Sequence, residues 1–122
     1  MIGSLIAGLG GAAFAAIGTG ALLAPGFSSL QYGLPTTERT ALALVRAIGA
    51  RDVVLGVIVV ALVAKQDRPA LELVLITSVL AAAGDALAVT TGRSDAGPKH
   101  LAVHAIGAAA LVIAWALVRS GR

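Results

Sequence analysis

Cysteine is absent from this chain, which excludes disulfides, iron–sulfur clusters and thiol nucleophiles together. Any fold it adopts must hold without covalent staples. Charge is also scarce: charged residues make up 12% of the chain against 58% hydrophobic. A small water-soluble domain cannot cover that much apolar surface with so few polar groups. The net charge of +3 would suit nucleic acid only if the basic residues formed a stripe, and the nine Lys and Arg are scattered singly. Nucleic acid is therefore not an expected partner. The sequence also has no Gly-x-Ser-x-Gly elbow, no phosphate-binding glycine loop before a lysine, and no redox-cofactor motif. Serine hydrolase and nucleotide chemistry are disfavoured, and no cofactor is expected.

What the chain does have is four long apolar runs, at about residues 2–23, 40–64, 69–90 and 101–118. At 1.5 Å rise per residue, about 20 residues cross a hydrocarbon core of roughly 30 Å, so each run can span once. The expected fold is all-α: an integral-membrane, antiparallel four-helix transmembrane bundle. It forms one domain over residues 1–122, with helices near 2–24, 37–64, 69–91 and 98–118. The first run reads as a span rather than a cleaved leader, because Met1 is followed by no Lys or Arg and the uncharged stretch exceeds a signal h-region. Four crossings put both termini on one side with Lys65, Arg68, Arg119 and Arg122, against Arg39, Arg93 and Lys99 opposite. That bias favours a multi-pass protein of the cytoplasmic membrane with cytoplasmic termini.

The first run places Gly3, Ala7, Gly11, Ala15 and Gly18 on one side at helical spacing, where small residues let helix backbones approach. Residues 25–35 read as the longest connection. Phe27 and Tyr32 there suit the border between head groups and hydrocarbon, and Trp115 suits the opposite border. Thr36 is the expected cap of the second helix, with Glu38 in its positive first turn. A polar turn over 65–68 leads to Pro69 in the first turn of the third helix, which makes the second and third helices antiparallel neighbours. Gly92 and Pro98 bound the last loop, and Glu72 can pair with Arg68 one turn earlier.

Three runs carry ionisable groups where lipid makes them expensive, about 2.5 to 3.5 kcal/mol each at a span's centre. The second holds Arg46-Ala-Ile-Gly-Ala-Arg51-Asp52. At 100° per residue, Arg46 and Asp52 flank Gly49, while Arg51 points to nearly the opposite side. Arg46 and Asp52 are thus expected to border a bundle-facing side centred on Gly49 and Gly56, leaving Arg51 to snorkel or to meet a second subunit. The third run carries Asp85 in line with Ser78, and the fourth helix carries His100 and His104 on one face. Counted from the border holding the first and third loops, Arg46, Asp85 and His104 all lie about 9 to 15 Å inward. The His100 to His104 spacing matches two metal ligands on a helix, but no glutamate stands between them in a catalytic pattern, and no metal site is assigned.

The glycine-rich first helix, the Pro-Gly connection, Arg46-x-x-Gly49-x-Arg51-Asp52 followed by Gly56, and Gly84-Asp85 together resemble small four-helix membrane proteins of uncharacterised bacterial and fungal families. Their broader relatives look like the DoxX-type four-helix proteins. The resemblance covers most of the chain and implies the fold, without a settled activity. Length and helix number are also similar to the small multidrug resistance exporters. Those carry an essential glutamate in the first helix, where this chain has no acidic residue.

The leading expectation is a membrane-embedded enzyme or binding protein for a lipophilic small molecule, with an intramembrane polar pocket. Its catalytic candidates are Asp52, Asp85 and His104, with Arg46, Arg51, Tyr32 and Ser78 binding or tuning the substrate. A carboxylate held by arginine stays charged and a desolvated one is pushed neutral, separating base from acid for isomerisation, cyclisation or epoxide opening. The alternatives are a proton-coupled transporter working as a homodimer, and a structural membrane scaffold in which charged pairs only specify helix neighbours.

Overall fold

The computed structural model describes residues 2–122. Its five helices are α1 (Ile2–Leu23), α2 (Pro25–Tyr32), α3 (Arg39–Ala64), α4 (Arg68–Gly92) and α5 (Pro98–Arg119). The helices α1, α3, α4 and α5 are each long and apolar enough to cross a membrane. Large apolar side chains such as Leu9, Ile17, Leu44, Leu73, Leu80 and Ile106 point outward. In water that surface would aggregate; in lipid it is the natural exterior. The chain is a multi-pass, all-α membrane bundle.

The spans pack as two antiparallel pairs, α1 on α3 and α4 on α5, joined where α1 meets α5. The first pair depends on the small residues the sequence singled out. A Cβ added at Gly49 would sit 2.7 Å from the Gly18 carbonyl oxygen and 2.8 Å from the Ala21 Cβ. One added at Gly11 would meet the Val59 side chain at 2.9 Å. Gly3 fits against the α5 backbone at Leu117 and Val118, and its N–H donates to the Arg122 carbonyl at 2.8 Å. The consecutive spans α3 and α4 touch far less than expected from their short turn, because the glycine face of α3 is taken by α1.

All four spans fill the half of the bundle nearer the 65–68 turn. Ala7, Val59, Leu71, Leu75, Ala114 and Val118 are buried together there, with Trp115 packed alongside. The Arg119 guanidinium lies 5.2 Å from the centre of the Trp115 ring, a cation–π contact at that border. Arg68 pairs with Glu72 at 3.3 Å and donates to the Arg119 carbonyl at 2.6 Å, tying α4 to the end of α5. The buried polar side chains Asp52, Ser78 and His104 belong to the spans, and the apolar cluster excludes them.

Two further features differ from the sequence expectation. Residues 25–32 form the short helix α2 rather than an open connection, with Pro25 at its start, where no backbone donor is required. Its end is set by Gly33 at φ 99°, a left-handed conformation that glycine adopts freely. A side chain there would also approach the His100 carbonyl oxygen to 3.0 Å. Ser29, fully buried, donates to the Gly26 carbonyl and accepts the Thr36 N–H, fastening α2 to the following strand of loop.

The second difference is the cap of α3. Glu38, not Thr36, caps the helix: its carboxylate accepts the N–H groups of Thr40 at 2.9 Å and Ala41 at 2.6 Å. An ionised acceptor outbids a hydroxyl for those donors, and the Thr36 hydroxyl instead accepts the Glu38 N–H. These N–H bonds hold the Glu38 carboxyl below its ordinary value. Across the loop, the Arg93 guanidinium does the same to Asp95. A carboxylate with a depressed folded value adds stability that is present above its unfolded titration and lost as pH falls through the folded one. Melting of the detergent-solubilised protein is therefore expected to drop on acidification below the ordinary carboxylate range. A Glu38→Gln, Asp95→Asn double variant should flatten that acid limb, and an unchanged limb would rule out these two groups as its source.

Candidate polar site between the spans

At the half of the bundle nearer α2, the Arg51 guanidinium is shared by two carboxylates. Its Nη1 and Nη2 donate to Asp85 Oδ1 and Oδ2 at 3.1 and 2.9 Å. Its Nε donates to Asp52 Oδ1 at 3.0 Å, and Nη2 also lies 2.9 Å from that oxygen. Both edges of the fork are used. Arginine's planar geometry permits this and a lysine ammonium could not reproduce it. The Arg51 side chain is 35% exposed, against 18% for Asp85 and 12% for Asp52, so the arginine is part-buried while the carboxylates are largely enclosed.

This corrects the expected orientation of Arg51, which neither points away from the bundle nor is left for a second subunit. Gly49 and Gly56 mark the contact of α3 with α1, not the bundle centre. The interior lies further around α3, at Asp52 and Val59, and Arg51 is only about 100° from Asp52 on that side. The lean of helical side chains completes the approach. Cβ atoms tilt toward a helix's own N-terminus, so on antiparallel α3 and α4 the two side chains lean toward each other. Arg51, about 18 Å into α3 from Arg39, thereby reaches Asp85, about 10 Å into α4 from Gly92.

Tyr32 and His104 adjoin the cluster from α2 and α5. Their rings meet edge to face, with centroids 4.8 Å apart at an interplanar angle of 77°. A carbonyl oxygen only accepts, so His104 Nε2 donates to the Tyr32 carbonyl at 2.9 Å and its Nδ1 is left as the second ring nitrogen. The Tyr32 hydroxyl lies beside Asp85. Burial first, and that carboxylate second, push the phenol well above its usual value, so it stays protonated and able to donate. Tyr32 therefore turns inward, unlike exposed Phe27, and does not serve as the lipid-facing anchor its position suggested.

Of the residues singled out from sequence, the fold joins Arg51, Asp52, Asp85, Tyr32 and His104. Arg46 is not among them. It is exposed on the far side of the α1 contact, where its Nε reaches only the Leu22 carbonyl at 3.4 Å. Ser78 is buried on α4, and its hydroxyl donates back to the Val74 carbonyl at 2.7 Å, leaving oxygen lone pairs but no proton to offer. His100 is held at the border, its Nδ1 accepting the Gly97 N–H at 3.2 Å. Among the described residues, no three His, Cys, Asp or Glu side chains gather as metal ligands.

One contributor was missed by the sequence reading. Arg93 donates from Nη1 to the Gly33 carbonyl at 3.0 Å while gripping Asp95 with its other edge. It thereby clamps the end of α2, and so Tyr32, to the loop before α5. The signal available was the Arg93-x-Asp95 spacing, which on its own reads as a solvated loop pair.

No curated protein and no solved structure matches the chain. A family profile described as a domain of unknown function, DUF4267, matches residues 11–119, a range that takes in α3, α4 and α5, the C-terminal half of α1 and the whole polar cluster. The chain belongs to the DUF4267 family.

Proposed function

We propose that the protein is a membrane-embedded binding protein or enzyme for a lipophilic small molecule, working through the Arg51, Asp52, Asp85, Tyr32 and His104 cluster. The observation that carries this reading is the charge count. Two carboxylates share one guanidinium inside the spans, so one of them has no cation of its own and is charged only at a cost in a medium that opposes charge. A structural tie between α3 and α4 needs only one carboxylate. The second is available to take a proton from a substrate or to orient a water, while the protonated Tyr32 phenol donates to a developing oxyanion. That combination suits isomerisation, cyclisation or epoxide opening, and it uses no cofactor.

The same uncompensated charge favours a second reading, proton-coupled transport by a homodimer, in which the spare carboxylate loads and releases the proton. A purely structural scaffold makes the cluster a helix tie and nothing more. The reading takes the chain as a distant relative of the DoxX-type proteins in the cytoplasmic membrane, and the excess of Lys and Arg on the side of the termini supports both termini lying inside.

Native mass spectrometry of the purified protein is expected to show a co-purifying hydrophobic molecule, lost in Asp85→Asn while the variant keeps its helical signal and still melts cooperatively, at a lower temperature. A molecule retained equally by Asp85→Asn and by Asp52→Asn would remove the cluster from its binding. Uptake into reconstituted vesicles that collapses with the pH gradient would instead select the transporter. Loss of melting temperature in both variants, with neither ligand nor uptake, would select the scaffold.

A further inference from the structure

A second place where polar and apolar groups converge lies at the membrane border, outside the cluster. A groove of about 370 Å³ runs between α2 and the start of α5, lined by Leu30, Gln31, Lys99, His100, Val103 and Ile106 among others. Its two ends differ in chemistry. At the border are the Lys99 ammonium, the Gln31 amide and the His100 imidazole. Since His100 Nδ1 accepts the Gly97 N–H, neutral His100 carries its proton on Nε2, which is left free to donate.

One to two turns further into the span, Val103 and Ile106 lie three residues apart on α5 and are 50% and 70% exposed. Leu30 on α2, 58% exposed, forms the opposite apolar wall. The nearest acidic side chain in the loop, Asp95, is already neutralised by Arg93 at 2.8 Å. The groove is thus cationic at head-group level and apolar below it.

We propose that this groove is a binding site for one anionic phospholipid, with the phosphate on Lys99 and the His100 Nε2–H and an acyl chain along Leu30, Val103 and Ile106. Charge complementarity selects the occupant: a zwitterionic lipid brings its own cation to the head group, whereas an anionic one leaves Lys99 as the partner of its net charge. The apolar track excludes free inorganic phosphate as an equivalent ligand, because it would leave that track unfilled. The site does not depend on the chemistry of the Asp85 cluster, from which none of its lining residues comes.

The test is native mass spectrometry of the full chain in detergent supplemented with either phosphatidylglycerol or phosphatidylcholine. One phosphatidylglycerol is expected to be retained in preference to phosphatidylcholine. Lys99→Gln should weaken that retention about fivefold, one basic residue's share of attraction to an anionic lipid. Val103→Trp, which fills the track without touching a charge, should weaken it as well. Lys65→Gln, at another exposed lysine on the opposite border, should leave it unchanged. Equal retention of both lipids, indifference to Lys99→Gln, indifference to Val103→Trp, or an equal loss in Lys65→Gln would each overturn the proposal.

Discussion

Replacing Arg51 with Met is expected to destabilise the folded bundle by about 3 kcal/mol or more, because removing one partner of an enclosed ion pair strands the other. Here two carboxylates are stranded, those of Asp52 and Asp85, which are 12% and 18% exposed. Reversible unfolding in mixed detergent micelles would measure the loss. Arg51→Lys should recover only part of it, since a single ammonium cannot present two donor edges at once. A triple variant, Arg51→Met with Asp52→Asn and Asp85→Asn, should recover most of it, because the stranded charge is then gone. Were Arg51→Met as stable as the parent, the guanidinium would contribute nothing to the fold and the two short carboxylate contacts would carry no energy.

The second large effect is expected at Gly56. An added Cβ there would overlap the Gly11 carbonyl oxygen and the Ala15 backbone nitrogen, and would lie 2.9 Å from the Ala15 Cβ. Backbone atoms cannot rotate aside, so the α1–α3 pair must separate along the contact that holds it together. Overpacking of this kind costs about 1 to 3 kcal/mol in an ordinary core. Gly56→Ala should fall at the top of that range, because Gly49, two turns away on the same face of α3, also lies against the α1 backbone and the shift spreads along the pair. Gly84→Ala is the matched control. Nothing lies within 4 Å of a Cβ at that exposed position, and relief of glycine's backbone freedom should leave it neutral or raise stability by up to about 1 kcal/mol. Equal behaviour of the two variants in the same unfolding assay would refute close helix approach as the basis of the α1–α3 contact.

The four spans were legible because an uninterrupted apolar run of about 20 residues has few other readings, and the α1 stripe was legible because small residues recurred at helical spacing. The helix α2 was not: Pro25, Gly26, Ser28 and Ser29 carry turn chemistry, and eight residues give too little periodicity to outweigh it. The site was half legible. Depth counting placed Asp85 and His104 at one level, and the fold joins both to the same cluster. Rotation was the weak link, since a helical wheel gives angles between residues on one helix without saying where the bundle centre lies. Gly49 and Gly56 suggest that centre, but they mark the contact with α1. The shift exchanges the expected roles of Arg46, which is exposed, and Arg51, which is the hub. The inward turn of Tyr32 was invisible for a related reason: it depends on Gly33 ending α2 and on Arg93 holding that end, contacts made across 60 residues of sequence.

The site depends on Arg51 and Asp85 acting on each other inside the membrane-spanning part of the chain, and a double-mutant cycle measures that directly. Arg51→Met, Asp85→Asn and the combined variant would be unfolded under identical conditions, and the interaction energy taken from the difference. The structure predicts a coupling of about 1.5 kcal/mol or more, the double variant losing clearly less than the sum of the single losses. Additive losses would contradict it: the two side chains would then be energetically independent, and the shared guanidinium would not be the centre of the site.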